Sequence, residues 1–229
     1  MKNKKIEIFN IKLTSTDLIF LYKQISLSKS FLRSTHNLFL KKKINIKGKI
    51  ADLGAGNKNN YHNLIKNKKV NVDCYDLHKT NEKSFTIDLE KKFSLKRKYQ
   101  NILLFNVMEH IYNKEDLLKS ISKNLKKKGK LEIFVPFMFR FHSDPNDFIR
   151  PTHTYLVKFL EENGFKVNTT LIATGPMLVI LEIIFKYLKL DILKFLISIL
   201  FISLNKLFQL FSKDFKNYYC GTHCSCTKK

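Results

Sequence analysis

The sequence predicts an α/β chain built on a doubly wound, mostly parallel sheet. Three observations carry that expectation. Short apolar runs alternate with amphipathic helical stretches from about residue 48 to residue 174, the pattern of βαβ units. Several of those runs end on glycine or on an acid, at the strand ends where such sheets hold ligands. The chain also carries 20 Phe and 9 Tyr among 44 % hydrophobic residues, enough apolar material for a sizeable core.

The elements follow in order. Residues 1–47 are expected to form an N-terminal helical cap, with Asp17 placed to cap a helix in which Leu18, Leu21, Ile25 and Leu32 recur at roughly helical spacing. The core is expected over 48–174. KIADLGAG (49–56) reads as a strand ending at glycines, followed by a helix to about Lys68. VNVDCYD (70–76) and SFTID (84–88) read as strands ending on acids, and YQNILLFNV (99–107) as a strongly apolar strand. EDLLKSISKNLKKKG (115–129) reads as a helix closed by Gly129, KLEIFVPF (130–137) as a strand, HTYLVKFLEENG (153–164) as a helix and FKVNTTLIA (165–173) as a strand. Residues 175–216 form an apolar helical insertion and 217–229 a last strand. Within the insertion the longest uncharged stretch, Phe195 to Asn205, is 11 residues, far short of the ~20 needed to span a bilayer. Two amphipathic helices are expected there. Asp191 is placed to cap the second, and Lys194, Ser198, Asn205 and Gln209 form its narrow polar stripe.

Charge and cysteines bound the function. The formal net charge is +23, yet only four of the 42 cations are Arg (33, 97, 140 and 150). Nucleic-acid binders lean on Arg for bidentate contacts to phosphate and guanine, so a solvated basic surface is the first reading and nucleic acid is disfavoured. Cys74, Cys220, Cys224 and Cys226 make no secreted disulfide framework, and the N-terminus has no apolar run long enough for a signal peptide. A cytoplasmic chain is expected. The spacing C-x-x-H-C-x-C around His223 is too tight for tetrahedral zinc, so no metal is expected.

The segment richest in chemistry is Asp52-Leu53-Gly54-Ala55-Gly56. Two glycines at a strand end let the backbone turn tightly and approach a ligand with no Cβ in the way. The third glycine of a dinucleotide fingerprint is absent, since position 59 is Asn; a cofactor without a pyrophosphate fits better. Asp76 ends the next strand, where an acid can accept both hydroxyls of a ribose. Asp88 ends the third, where a carboxylate can accept from an adenine amino group.

Taken together, DLGAG, Asp76, IDLE around Asp88 and NVMEHI (106–111) resemble the class I S-adenosylmethionine-dependent methyltransferases over roughly residues 45–172. The resemblance implies a Rossmann-like, seven-stranded sheet with a reversed last strand, here 217–228 after the insertion. It implies S-adenosyl-L-methionine as cofactor, its methionine part held by Asp52, Gly54 and Gly56, its ribose by Asp76 and its adenine by Asp88 and Leu89. NVMEHI is similar to the segment lining the sulfonium region, which places Asn106 among the cofactor residues and His110 at the pocket edge. The family pattern often has Phe-Asp entering the fourth strand, where this chain has Tyr99-Gln100-Asn101.

After the fifth strand, Phe141 to Thr152 resembles the H-x-D-P-x-D-x-x-R-x-T loop of small methyltransferases found with polysaccharide or glycolipid biosynthesis. An attacking hydroxyl benefits from a base, and His suits that task near neutral pH. His142 is the first choice, with Asp144 or Asp147 as base or orienter. Against it stands a plainer reading in which Asp147 and Arg150, three apart, brace the loop; both are taken to line the substrate pocket. His110 is expected as a structural hydrogen-bonder there. The acceptor is expected to be a hydroxyl on a sugar or lipid-linked glycan. An RNA methyltransferase is the alternative suggested by charge, but the Asn/Asp-Pro-Pro-aromatic grip on a flipped base is replaced by NVMEH. The intact acids argue against a non-catalytic membrane-associated protein. Lysines flanking 177–211 point to peripheral contact with the inner face of a membrane, a homodimer interface being the other use of that surface.

Overall fold

The computed structural model describes residues 6–56, 61–65, 71–79, 82 and 84–229. Among the described residues eight strands form one sheet: β1 (Glu7–Ile8), β2 (Ile50–Leu53), β3 (Val72–Asp76), β4 (Phe85–Thr86), β5 (Tyr99–Phe105), β6 (Leu125–Pro136), β7 (Phe165–Thr174) and β8 (Tyr219–Lys228), in the order β1-β7-β8-β6-β5-β2-β3-β4. The helices are α1 (Ser15–Ser26), α2 (Phe31–Lys43), α3 (His62–Ile65), α4 (Lys114–Asn124), α5 (His153–Glu162), α6 (Pro176–Phe185) and α7 (Asp191–Phe211). The pairs β2–β3, β2–β5, β3–β4, β5–β6 and β1–β7 are parallel. β8 runs against β7: Gly175 N–H donates to Tyr218 O at one end and Lys229 N–H to Gly164 O at the other. The last strand is therefore reversed, as the resemblance implies. The eighth strand is the unpredicted β1, too short to leave a periodic signal.

The chain divides into two compact units. One comprises Met1–Ile44, Phe137–Arg140 and Thr170–Thr222, the other Asn45–Pro136, Phe141–Thr169 and His223–Lys229. The N-terminal helices and the apolar insertion, read as separate segments, thus belong to one unit, in which α1 and α2 pack against α7 and α6. The N-terminal helical cap is made of two helices, where one continuous segment is expected from Asp17 onward. Thr14, not Asp17, caps α1, its Oγ1 accepting from Asp17 N–H. The chain breaks at Ser28, where φ is +55°, and restarts at Ser30, whose Oγ accepts from Arg33 N–H. Asp17 instead is buried and paired with Lys42 at 2.5 Å.

In the other unit β2 and β5 are central, and their apolar runs are buried almost throughout, as parallel strands covered on both faces must be. Leu117 and Ile121 of α4 and Leu156 and Leu160 of α5 join Ile102, Leu104, Leu131 and Ile133 in one core. α4 ends at Asn124 rather than at Gly129. Tyr99 pairs with Leu125 but Asn101 with Lys130, so Lys126–Gly129 bulge out, with φ +57° at Lys128. The amphipathic pattern runs on into this lysine-rich bulge, which is why it reads as helix. The Cys220, Cys224 and Cys226 side chains are fully buried; burial pushes the Cys224 thiol up to about 12, so these are inert core residues.

Candidate active site

Every residue singled out in the sequence for cofactor or acceptor lies in the second unit. At its centre is Asp52, on β2 and wholly buried. Tyr61 Oη donates to Asp52 Oδ2 at 2.5 Å, and His62 Nε2 lies 2.6 Å from the same oxygen. The other oxygen, Oδ1, has no hydrogen-bond partner among the described residues. A buried carboxylate oxygen without a donor is costly, and an ammonium or amide from a bound molecule removes that cost. Tyr61 and His62 left no sign in the sequence, because any donor nine or ten residues on would serve.

The glycine loop is shaped by its surroundings. Gly54 N–H donates to Tyr75 O at 2.8 Å and Ala55 N–H to the same oxygen at 3.3 Å, drawing the loop over the end of β3. Gly54 has φ +71°, and a Cβ there would meet Val107 Cγ2 at 2.3 Å. Gly56 has φ +59° and donates its N–H to Asp76 Oδ2 at 2.8 Å. Among the described residues, a Cβ at Gly56 would meet nothing within 4 Å. Asp76 stands at the last position of β3 with one oxygen held by the loop. The structure thus brings Asp52, Gly54, Gly56 and Asp76 together.

Asp88 is placed differently from the expectation. β4 stops at Thr86, and Asp88 lies in the following turn, Oδ1 accepting from Glu90 N–H at 3.0 Å and Oδ2 paired with Lys91 at 3.0 Å. The bond from Lys91, then that from Glu90 N–H, hold its carboxyl below the ordinary value. A short carboxylate that can bond its own backbone two residues on makes a turn more readily than a strand end. Leu89 packs into the core. Asn106, after β5, takes φ +53° and donates its N–H to Phe134 O at 2.9 Å, a conformation Asn tolerates well.

The residues expected to face the acceptor, His110 and the loop from Phe141, come together with Glu109. Phe148 N–H donates to Glu109 O at 2.8 Å, tying loop to turn. His110 Nδ1 bonds to Asn146 O; a carbonyl only accepts, so Nδ1 is assigned the proton and Nε2 the lone pair. That Nε2 lies 3.7 Å from Oε1 of the wholly buried Glu109. His142 is held otherwise. Its backbone N–H donates to Asp147 Oδ2 at 2.8 Å, and its Nδ1 lies 3.2 Å from Arg150 Nη2. A guanidinium only donates, so Nδ1 accepts and Nε2 carries the proton. Arg150 forks both amino groups onto Asp147. Burial raises the Asp147 carboxyl, but the bonds from Arg150 and His142 N–H outweigh it and leave the group below its ordinary value. The bracing pair of the plainer reading is present, and Asp147 rather than Asp144 holds His142. Asp144 is exposed, preceding Pro145 across a cis peptide.

A doubly wound sheet with a reversed last strand, a two-glycine turn after the first core strand and an acid ending the second defines an S-adenosylmethionine-dependent methyltransferase of class I. The positive-φ glycine turn, Asp52 Oδ1 without a partner among the described residues and the acid Asp76 at the end of β3 fit that cofactor. The chain belongs to the methyltransferase-domain family, whose model, described as a methyltransferase domain, matches residues 26–169. No curated protein matches it. Among solved structures, coclaurine N-methyltransferase bound to N-methylheliamine and S-adenosylhomocysteine has a TM-score of 0.55 at 12 % identity, over 95 % of this chain and 88 % of that one. The O-methyltransferase of a trans-AT polyketide synthase multienzyme from Brevibacillus brevis, in complex with S-adenosylhomocysteine, gives 0.53 at 16 %, over 100 % and 85 %. The cyclase SpnF gives 0.56 at 8 %, over 100 % and 99 %. At these identities the likeness is one of fold.

Proposed function

We propose that this methyltransferase acts on a hydroxyl group, on a sugar or lipid-linked glycan, with His110 as the general base. The observation that carries the reading is the bond from His110 Nδ1–H to Asn146 O, which orients the ring and leaves Nε2 as the nitrogen that can take a proton. An amine acceptor attacks through its own lone pair; a hydroxyl gains from a base. Bound at Asp52, Gly54, Gly56 and Asp76, S-adenosylmethionine supplies an electrophilic methyl on a positively charged sulfur. His110 Nε2 takes the hydroxyl proton, and the Glu109 carboxylate 3.7 Å away stabilises the imidazolium so formed. His142, the base expected from the sequence, is better suited to donate from Nε2–H to the acceptor oxygen, because a proton on Nδ1 would face Arg150. The ligand atoms of Glu109, His110 and His142 lie within 4.8 Å of one another, and the cluster is read as one that handles a proton. Tyr112 and Phe148 meet edge to face at 5.5 Å and are 69 % and 41 % exposed, a platform for the apolar face of a sugar ring.

The test is transfer of labelled methyl from S-adenosylmethionine to a set of methyl glycosides and to the matching amino sugars. Glycosides should be labelled, and His110→Gln should lose about 100- to 10,000-fold in turnover while S-adenosylhomocysteine still binds. Labelling of the amino sugars alone, or full turnover by His110→Gln, would overturn the reading.

A further inference from the structure

We propose that the outward face of α7, continued by the end of α6, docks on an anionic lipid bilayer. Most of the helix is turned inside out for water. Of its polar stripe, Ser198 and Asn205 are only 1 % and 5 % exposed and the Lys194 side chain 17 %, while Gln209, in the last turn, is exposed. Asn205 Nδ2 donates to Thr174 O at 2.9 Å, Ser198 Oγ to Lys194 O at 2.7 Å, and Lys194 pairs with Asp191 at 3.1 Å. The opposite face shows Leu196, Leu200 and Leu207 each more than half exposed and Phe211 at 81 %. Spacings of four, seven and four residues put these on one side of a helix of 21 residues, about 31 Å long. Ile183, Tyr187 and Leu190 extend the patch. A helix that faces water carries its apolar stripe inward, so this face is made for an apolar neighbour.

Charge decides which neighbour. From residue 186 to residue 216 there are Lys186, Lys189, Lys194, Lys206, Lys213 and Lys216 against Asp191 and Asp214, in a chain of net charge +23. A second copy would bring like charge against like charge, whereas anionic headgroups are complementary. Among the described residues no helix is long and apolar enough to cross a membrane, so α7 lies in the plane of the interface with flanking lysines reaching the headgroups. The inference is independent of the acceptor proposed above.

Flotation of the full chain with vesicles of phosphatidylcholine plus phosphatidylglycerol tests it. The protein should float with these vesicles at low salt, and at least about tenfold less with phosphatidylcholine alone. Leu196→Ser/Leu200→Ser/Leu207→Ser should lose flotation with an unchanged circular dichroism spectrum, since those side chains are exposed. Lys186→Glu/Lys189→Glu/Lys213→Glu should lose it too, without touching the apolar face. Absence of flotation at low salt, or flotation untouched by the serine variant, overturns the proposal. A stable dimer in sedimentation that the serine variant dissociates would give the face to a second copy.

Discussion

The glycine loop after β2 and the loop from His142 to Arg150, which follows β6, are held by opposite means. At the first, backbone does the shaping: two N–H groups run onto Tyr75 O and a third onto Asp76, and the positive φ angles admit little but glycine. At the second, side chains do it: Arg150 forks onto Asp147, Asp147 accepts from His142 N–H, and His110 leans on Asn146 O. A backbone-built half can serve one cofactor and tolerates few residue types. A half built from side chains can be refitted to a new acceptor without disturbing the sheet beneath it.

Glycine substitutions break that comparison most sharply. Gly54→Val puts a β-branched residue at φ +71° with its Cβ 2.3 Å from Val107, combining backbone strain of ~1–3 kcal/mol with overpacking of similar size. Calorimetry should show S-adenosylhomocysteine binding abolished, with a clear fall in melting temperature. Gly56→Ala meets no clash among the described residues and carries only the strain of a left-handed φ of +59°, about 1–2 kcal/mol, so it should keep the fold while weakening binding. Equal binding by Gly54→Val and the unaltered chain would remove the loop from the cofactor site. Next in size is Asp76→Ala. Each hydrogen bond to a charged group is worth about 1.5–3 kcal/mol, so affinity should fall roughly tenfold or more, and unchanged affinity would sink the ribose assignment.

The same contrast explains what could be read without coordinates. Glycines and acids at strand ends are fixed by backbone geometry, so Asp52, Gly54, Gly56 and Asp76 are legible as a group. The Asp147–Arg150 brace is legible from its spacing of three. The choice between His110 and His142 is not, because each tautomer is set by a partner that sequence cannot bring near: the Asn146 carbonyl, 36 residues from His110, and the Arg150 guanidinium. α7 makes the same point from the other unit. Its polar stripe is plain in the sequence, but periodicity gives only the existence of two faces. Which one turns inward depends on what is there to meet it, here the Thr174 carbonyl awaiting Asn205.

The smallest effect tests the side-chain half alone. Asp147→Asn should lower the melting temperature by about 2–4 °C, corresponding to roughly 1 kcal/mol in a chain of this size, because the loop is only one locally ordered part of the structure. The pH dependence carries the information. The Asp147 carboxyl is held below its unfolded value of 3.8, so the stability it contributes is fully present above that pH and is lost as pH falls through the folded value. The gap between the two proteins should therefore hold down to about pH 5 and close below about pH 4. Cofactor affinity, resting on the backbone-built half, should be the same in both proteins across that range. A gap that stays constant to pH 3, or a cofactor affinity that follows it, would show that the two halves are not separately supported.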